Sequence, residues 1–399
     1  MLSDVTTAME MNRTPRANSN RFNNRMQKVL FVIDTLQTGG AEQSLFANAI
    51  RFKNMQPVVC HLYAGDLLKQ KFIDHDIPVY SVALKKKYGF VQAYKELKAI
   101  VEKEQPDIIV AYLTRSELVA RMVGRSARIP VIGTFVAELY SDTYNTALSF
   151  KAKMAVSFFK WANKTTARFC KGFVSNSAAI KQSNAKALNI DPDKIEVINR
   201  GRDSSIFRFR VPAIFPGKPL RFLNVGRLVP VKGQRDLILA FNEFLPACPD
   251  AILHIAGDGP ARESLSALIN ELGLQNKVTL LGSRNDVPQL INEYDCFVFP
   301  SHSEGFSGAI IEAMFAGLPV LASDIAVNKE VITHMKTGYF FETGSVQSIK
   351  QALLWYKDNT AVANSLAANA NEHARQNFEL STIAGKLETY LLNMIIAKN

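Results

Sequence analysis

The sequence predicts an α/β protein with two doubly wound domains that face each other across a cleft. Short β-rich runs alternate with segments of helical periodicity, which is typical of a parallel sheet covered by helices on both faces. The alternation stops near residue 204 and begins again near residue 220. A chain of 399 residues, 47% of them hydrophobic, is also long enough for two globular cores.

The first predicted domain covers residues 27–203. Its predicted strands are the runs KVLFVID, PVVCHLY, IPVYSV, DIIVAYL, IPVIGTF and GFVSNS, which have the length and composition of buried strands. Residues 1–26 are rich in Asn, Arg and Thr and lack the central apolar block of a signal peptide. We therefore expect a disordered tail that is not an export signal.

A proline-containing linker, predicted at residues 204–219, leads to the second domain at residues 220–374. The strands predicted there are LRFLNVG, AILHIAG, KVTLLG, DCFVFP, LPVLAS and GYFFE. Residues 375–399 include STIAGKLETYLLNMIIA, whose apolar positions recur at helical spacing. We expect this last helix to pack back on the N-terminal domain.

The composition excludes some classes of protein and leaves others open. The formal net charge of +11 favours anionic partners such as phosphorylated small molecules, anionic lipid surfaces or nucleic acid, without choosing among them. The four cysteines form no CxxC pair, so a zinc knuckle and a dithiol redox motif are not available. No stretch approaches the roughly 18 uncharged apolar residues of a spanning helix, and a cytoplasmic location is expected.

Two segments have the composition of phosphate-binding loops. Gly39 and Gly40 follow the first strand and open a helix, where glycine lets a ligand approach the backbone and free amides favour an anion. An ordinary tight turn is the alternative for that segment. Arg227 and Lys232 stand five residues apart at the start of the second domain, which suits a diphosphate at a helix start. A solvated basic loop is the alternative there.

The most specific segment is FVFPSHSEGFSGAIIEAMFAG. Glu304 lies in the loop after a buried strand, and Glu312 lies about one turn inside the following helix, which Ser307 is expected to cap. Carboxylates at these positions can accept hydrogen bonds from sugar or ribose hydroxyls. Free backbone amides at the start of the helix can hold phosphate oxygens; these are the amides of Gly305, Phe306, Ser307 and Gly308.

At these residues the sequence resembles the retaining family 4 glycosyltransferases of the GT-B fold, which carry two glutamates separated by seven residues, here in EGFSGAIIE. TGGAEQ resembles the family's amino-terminal glycine loop, and GRLVPVKG resembles its diphosphate-binding Arg and Lys. LLGSRNDV resembles the loop around the nucleobase, and VINRGRDSSIF resembles the interdomain segment. The resemblance covers most of the chain from about Lys28 and implies two Rossmann-like domains.

The resemblance implies a role for each of four charged residues in the cleft. Arg227 and Lys232 would hold the donor diphosphate and stabilise the leaving group. Glu312 would hold the nucleotide ribose, and Glu304 would contact hydroxyls of the transferred sugar. Arg227, Lys232 and Glu304 are accordingly the expected catalytic residues.

The resemblance also implies that Gly39 and Gly40 close over the phosphate or sugar and that Arg284 lies beside the base. No metal or other cofactor is expected, because cationic side chains and helix amides offset the charge on the leaving diphosphate. One departure is visible. Many members place a histidine after the strand that corresponds to IPVIGTF, whereas this chain has Glu138 in that region.

The expected activity is retaining transfer of a hexose or N-acetylhexosamine from a nucleoside-diphosphate sugar, with UDP as the expected nucleotide, to a saccharide. Two basic and aromatic segments suggest that the acceptor is lipid-linked and that the protein docks on the inner face of the cytoplasmic membrane. The first contains Lys85, Lys86, Lys87 and Tyr88, and the second is LSFKAKMAVSFFKWANKTTARFCK. Packing of their apolar residues in the domain core is the alternative.

Surface polysaccharide or lipopolysaccharide synthesis is the expected setting. Other functions remain open at this point. Within the same architecture, the alternative is a nucleotide-sugar epimerase or hydrolase. From a different class, the alternative is a basic membrane-binding or nucleic-acid-binding protein without catalysis, although no ordered nucleic-acid module is visible.

Overall fold

A computed structural model of the chain describes residues 25–84, 89–138, 140, 150–210 and 219–396. Most of the predicted tail, residues 1–24, lies outside the described residues, as do residues 211–218 of the predicted linker. At the start of the described chain, the guanidinium of Arg25 donates to Asp107 Oδ1 at 3.0 Å. The described residues form two α/β domains, each built on one parallel sheet.

The N-terminal domain contains a seven-stranded sheet in the order β3-β2-β1-β4-β5-β6-β7. Every neighbouring pair is parallel. Its strands are β1 (Gln27–Ile33), β2 (Met55–Tyr63), β3 (Val79–Leu84), β4 (Ile108–Ala111), β5 (Val131–Phe135), β6 (Gly172–Ser175) and β7 (Ile195–Val197). The helices that cover it are α1 (Gly40–Ala49), α2 (Lys69–Ile73), α3 (Phe90–Glu104), α4 (Thr114–Ala127), α5 (Phe150–Thr166) and α6 (Ala178–Leu188).

The C-terminal domain contains a six-stranded parallel sheet in the order β10-β9-β8-β11-β12-β13. Its strands are β8 (Arg221–Val225), β9 (Ile252–Ala256), β10 (Val278–Gly282), β11 (Cys296–Phe299), β12 (Val320–Ser323) and β13 (Tyr339–Phe341). Its helices are α7 (Gln234–Phe244), α8 (Arg262–Glu271), α9 (Val287–Leu290), α10 (Gly308–Ala316), α11 (Ala326–Val331) and α12 (Val346–Asp358).

The predicted fold class is confirmed, since both sheets are doubly wound and parallel. All residues of β4, β5 and β11 are buried, because helices cover both faces of each sheet. The sequence analysis misses β7, which has only three residues and lies at the edge of its sheet. So short a run carries too little periodicity to be distinguished from a loop.

The strand order determines where ligands can bind. In each sheet the order reverses beside the first strand, between β1 and β4 and between β8 and β11. Open α/β sheets bind ligands in the crevice at this point, outside the carboxyl ends of the strands. Gly39 and Gly40 follow β1, Arg227 follows β8, and Glu304 follows β11. These four predicted site residues therefore lie at the two switch points.

The chain ends with two helices, α13 (Thr360–Asn377) and α14 (Leu380–Ile396), which join the domains. Helix α13 packs against α10 in the C-terminal domain, whereas α14 packs against α1 in the N-terminal domain. The backbone crosses between them beside Arg202, whose amide donates to Phe378 O and whose carbonyl accepts from the amide of Leu380, both at 2.9 Å. The C-terminal helix thus lies against the N-terminal domain.

Glu388 connects α14 to the N-terminal sheet by hydrogen bonds. Its side chain is buried, with 4% of its surface exposed. One carboxylate oxygen accepts from the backbone amides of Lys53, Asn54 and Met55 at 2.8, 2.6 and 2.9 Å, and the other accepts from Asn54 Nδ2 at 3.2 Å. These bonds hold the residues that lead into β2 against the helix.

We predict that Glu388→Ala lowers the free energy of unfolding by about 2–3 kcal/mol, because it removes a charged acceptor and leaves backbone amides without a partner. Chemical denaturation measures this change. The exposed Glu372 of α13 is the matched control, and Glu372→Ala should stay within about 0.5 kcal/mol of the wild type. Equal stability of the two variants would contradict a role for Glu388 in holding α14.

Candidate functional site

Lys232 and Glu304 are brought together at the carboxyl ends of β8 and β11. The ammonium of Lys232 forms an ion pair with Glu304 Oε1, and the hydroxyl of Ser301 donates to the same oxygen at 2.6 Å. The side chain of Glu304 is only 8% exposed. The predicted cation and the first predicted glutamate therefore form one unit in the cleft.

The loop after β8 packs directly against the loop after β11, through Gly233 and His302. Gly233 has φ +66°, and a Cβ there would collide with the carbonyl oxygen of Pro300, so the position requires glycine. The amide of His302 donates to Val231 O at 2.8 Å, and its Nε2 pairs with Asp236 Oδ2 on α7 at 2.7 Å. The hydrogen bond that the His302 ring donates to Asp236 raises the pKa of His302.

Glu312 does not stand free in the cleft. Nε of Arg202 donates to Glu312 Oε1 at 2.6 Å, and Nη1 of Arg202 donates to Gly201 O at 3.0 Å. The guanidinium lies directly against Gly308, at the start of α10, where a Cβ would collide with it. Arg202 lies at the end of the N-terminal domain, and Glu312 belongs to the C-terminal domain. This ion pair therefore joins the two domains.

The loop before α10 agrees only partly with the expected set of free amides. The amide of Gly308 donates to Phe306 O at 3.0 Å and is therefore occupied. Ser307 occupies the N-cap position, but its side chain caps no helix amide and its hydroxyl instead donates to Asn328 Oδ1 at 2.5 Å. The expected capping role of Ser307 is wrong, because the buried Asn328 of α11 competes for the hydroxyl.

Phe306 contributes backbone and not side chain to the cleft. Its ring is buried and packs at 5.8 Å against Phe378, at the crossing between α13 and α14. The loop also touches the other domain, because a Cβ at Gly305 would collide with the carbonyl oxygen of Val136. Among the described residues, the amides of Gly305, Phe306 and Ser307 have no hydrogen-bond acceptor. Three of the four predicted amides thus remain available to a ligand.

The glycine loop of the N-terminal domain faces this site. Gly40 is the first residue of α1, and a Cβ there would lie 2.8 Å from Nη1 of Arg200. Glu42, in the first turn of α1, is buried and accepts from the hydroxyl of Thr35 at 3.1 Å. Gly39 precedes the helix in an extended conformation. The loop therefore carries a buried carboxylate and packs against the side chain of Arg200, which follows β7.

Arg227 and Arg284 lie at the same end of the C-terminal sheet. The side chain of Arg227 is exposed, and among the described residues it forms no ion pair. Arg284 lies on the loop after β10 and forms an exposed ion pair with Asp286. The structure thus leaves Arg227 available to a ligand, whereas Arg284 is engaged with a neighbour two residues away.

Glu138 follows β5, the strand after which a histidine was expected. It lies two residues beyond Val136, whose carbonyl oxygen receives Asn176 Nδ2 at 3.2 Å. Burial raises the pKa of the Glu138 carboxyl. The loop that carries Glu138 therefore contacts the Glu304 loop through Val136, on the side of the cleft formed by the N-terminal domain.

Comparison with known proteins agrees with this arrangement. Residues 38–205 match the family described as Glycosyltransferase Family 4, and residues 206–376 match the family described as Glycosyl transferases group 1. The two matches are contiguous and together span both domains. The chain belongs to the group 1, or family 4, glycosyltransferases. The cleft that contains Lys232, Glu304 and Glu312 is thus the candidate active site of this glycosyltransferase.

Two curated relatives cover most of the chain. The UDP-Gal:alpha-D-GlcNAc-diphosphoundecaprenol alpha-1,3-galactosyltransferase of Escherichia coli is 27% identical over 325 residues, which are 78% of this chain and 80% of that protein. The N-acetyl-alpha-D-glucosaminyl L-malate synthase of Bacillus anthracis is 23% identical over 361 residues, which are 89% and 90% of the two chains.

Solved structures confirm the GT-B fold of this glycosyltransferase. The Anabaena protein Alr3699/HepE, crystallised with UDP, superposes with a TM-score of 0.79 at 23% identity, covering 92% of this chain and 100% of that one. The lipopolysaccharide outer core galactosyltransferase WaaB superposes with a TM-score of 0.71 at 18% identity, covering 91% and 99%. At these identities the likeness establishes the fold.

Three residues of the site are absent from the sequence analysis: Arg200, Arg202 and His302. Both arginines lie in VINRGRDSSIF, which the sequence analysis assigns only to the join between domains. His302 lies two residues before Glu304. Two arginines around a glycine directly after the last strand of the domain are a signal that could have identified this segment as part of the site.

We predict that Asp236→Asn lowers the pKa of His302, because it removes the carboxylate that stabilises the imidazolium. NMR titration of the histidine ring resonances measures this, with His254 as the control. The raised pKa implies that the His302–Asp236 pair stabilises the fold below about pH 6.5 and loses this contribution as the pH rises through the raised value. An unchanged titration of His302 in the variant would contradict the pairing.

Proposed function

We propose that this glycosyltransferase transfers a hexose or N-acetylhexosamine from a UDP-sugar to a lipid-linked saccharide, with retention of the anomeric configuration. The reaction would serve the synthesis of a surface polysaccharide or lipopolysaccharide at the inner face of the cytoplasmic membrane. The observation that carries the proposal is the cleft itself, in which Glu304 and Glu312 each pair with a cation at the switch point of the C-terminal sheet.

The charges of the cleft suit a nucleoside-diphosphate sugar. Lys232 and the exposed Arg227 can bind the diphosphate with charge-assisted hydrogen bonds. The free amides before α10 add donors without adding flexible side chains. Glu312 can exchange its partner Arg202 for the two ribose hydroxyls, and Glu304 can accept from hydroxyls of the sugar. The diphosphate, the ribose and the sugar of the donor would thus each have a hydrogen-bonding partner in the cleft.

The proposal includes catalysis without a metal, in which the same groups stabilise the leaving diphosphate. Cleavage of the bond to the donor sugar leaves negative charge on the departing diphosphate, and preorganised cations and amides lower the energy of that charge. Within the described part of the chain, no three His, Cys, Asp or Glu side chains are grouped as a metal site requires. We propose that Lys232 and Arg227 take the role that a divalent cation has in other enzymes.

The donor and acceptor classes draw on the relatives. The Escherichia coli enzyme is named for a UDP-galactose donor and a diphosphoundecaprenol-linked acceptor. A Salmonella typhimurium relative, 32% identical over 179 residues, is an O-antigen chain mannosyltransferase. These names support a sugar nucleotide as donor and a polysaccharide precursor as acceptor. Retention of configuration rests on the family resemblance of the two glutamates.

A lipid-linked acceptor is supported by the surface of α5. Met154, Phe158 and Trp161 recur along one face of this helix and are 60%, 54% and 63% exposed. These side chains are thus not buried in the domain core. The helix contains four lysines and no acidic residue, so its apolar stripe is flanked only by positive charge. An interfacial helix on an anionic bilayer has this character.

The other basic segment falls partly outside the described residues, which do not include Lys85, Lys86, Lys87 and Tyr88. No helix among the described residues combines the length and the apolar composition needed to cross a membrane. Attachment through the face of α5 would therefore be peripheral. It would hold the N-terminal side of the cleft near lipid-linked acceptors.

The test of the function is transfer with analysis of the product. The full chain is incubated with UDP-glucose, UDP-galactose and their N-acetyl forms in the presence of membrane extract, and proton NMR of the isolated product reads the anomeric configuration. We expect transfer from at least one donor, with the donor configuration kept. Inversion would refute the retaining mechanism, and transfer only from a GDP-sugar or ADP-sugar would refute the proposed donor.

We predict that the two glutamates differ in their kinetic effect. Glu312→Gln should weaken binding of UDP, because Glu312 would contact the ribose of both UDP and the donor. Glu304→Gln should leave UDP binding near the wild-type value and lower kcat, because its partner is the transferred sugar. Calorimetric titration and steady-state kinetics measure the two effects. Wild-type turnover in both variants would contradict the site.

We predict that the protein sediments with anionic vesicles at low salt and that added salt reverses this binding, since the attraction is screened over about 8–10 Å at physiological ionic strength. Changing the exposed Lys151, Lys153 and Lys164 of α5 to Glu should abolish sedimentation, since each lysine near the surface contributes about 1 kcal/mol. Trp161→Ser should weaken sedimentation at every salt concentration.

The matched control reverses three exposed lysines that lie elsewhere on the molecule, Lys53, Lys103 and Lys336. This variant has the same net charge as the α5 variant and should still sediment. Equal loss in both variants would indicate a general effect of net charge and would contradict docking through α5.

A further inference from the structure

The segment Asn199–Asp203, here called the exit segment, leaves the N-terminal domain directly after β7 with a fixed backbone. Arg202 exchanges two backbone hydrogen bonds of 2.9 Å with Phe378 and Leu380. A Cβ at Gly201 would lie 2.6 Å from Cα of Leu380, so the segment packs tightly under the start of α14. The two arginines that flank Gly201 are therefore held in defined places.

Arg200 is a cation that has no ion-pair partner among the described residues. Its guanidinium is partly buried and lies against Gly40, yet among the described residues it forms no hydrogen bond and no ion pair. Burial, together with the positive charge of Arg202, lowers its pKa to about 10. The carboxylates of Glu42 and Glu304 act on it electrostatically without reaching ion-pair distance. The five N–H donors of this guanidinium therefore have no acceptor among the described residues.

Arg202 is held in a contact that a ligand can release. It pairs with Glu312 at 2.6 Å and lies over Gly308, at the start of α10. When ribose hydroxyls occupy Glu312, the Arg202 guanidinium loses its carboxylate partner while it remains beside the free amides of the α10 loop. A cation in that position, with its backbone fixed, can then bind an anion of the ligand.

We propose that Arg200 and Arg202 form a second diphosphate-binding pair, which the N-terminal domain contributes to the cleft beside Arg227 and Lys232 of the C-terminal domain. The inference rests on the proposed function, because it assumes a substrate that carries a diphosphate. Both the sugar nucleotide and a lipid-linked acceptor of the kind named for the Escherichia coli relative have this group. Planar guanidinium groups suit it, since they donate pairs of hydrogen bonds to phosphate oxygens.

The first arm of the test measures calorimetric binding of UDP and UMP to the wild-type chain, Arg200→Gln and Arg202→Gln. If the pair binds the donor diphosphate, Arg200→Gln weakens UDP binding about 10- to 100-fold and changes UMP binding much less. Arg202→Gln weakens UDP binding less and strengthens UMP binding, because it releases Glu312 for the ribose. A merely structural role of Arg202 would not strengthen the binding of any ligand.

The second arm titrates geranyl diphosphate into the UDP-saturated wild-type protein and both variants. If the pair binds the acceptor diphosphate, the arginine variants keep wild-type affinity for UDP and lose affinity for geranyl diphosphate. Arg200→Lys keeps the positive charge but lacks the planar guanidinium. It should retain part of the affinity for the ligand, UDP or geranyl diphosphate, whose binding Arg200→Gln weakens.

Arg51→Gln is the matched control. Arg51 pairs with Asp203 of the same segment at 2.5 Å, so its loss perturbs the exit segment without removing a cation from the cleft. Wild-type binding of both ligands by Arg200→Gln would overturn the inference and leave the proposed function standing. An equal loss of affinity in Arg51→Gln would also overturn it, whereas a wild-type chain that binds no nucleoside diphosphate would overturn both. Thermal unfolding of each variant verifies that it is folded.

Discussion

The hydrogen bonds between Arg202 and the crossing at Phe378 and Leu380 are the constraint on which the rest of the molecule depends. Each sheet alone offers a set of loops at its carboxyl end, and neither set forms a complete site. After this crossing, α14 packs against the N-terminal domain, where Glu388 accepts hydrogen bonds from three successive backbone amides. The two loop sets are thereby held face to face, so an active cleft exists.

Each of the two predicted glutamates in the cleft is paired with a cation. Lys232 neutralises Glu304, and Arg202 neutralises Glu312. Leaving either carboxylate partly buried without a cation would be costly, so each pair satisfies its carboxylate. In the proposed function, substrate hydroxyls replace these cations as partners of the glutamates. The same pairs keep the cations close to the place where phosphate charge is expected. One set of contacts would thus stabilise the site and prepare it for a charged ligand.

A buried polar network connects the exposed helix α5 to the cleft. Asn163 of α5 accepts from Nη1 of Arg121 at 2.7 Å, and Arg121, which is fully buried, pairs with Glu117. Glu117 in turn accepts from the amide of Thr134 in β5 at 3.0 Å. Every step of this network is a hydrogen bond that involves an ionisable side chain. The network therefore links the helix proposed to meet the membrane with β5, the strand that leads to the N-terminal side of the cleft.

The two doubly wound sheets and the loops that line the cleft are predictable from the sequence, because apolar periodicity and turn residues are local signals. These signals place Gly39, Lys232, Glu304 and Glu312 in loops and helix starts that follow buried strands. Which charges meet depends on the packing of the two domains, since Arg202 and Glu312 are 110 residues apart in the sequence. The same packing directs the Ser307 hydroxyl to Asn328, so Ser307 does not cap the helix as predicted. Such pairings depend on how the domains pack against each other, and no local pattern in the sequence records that packing.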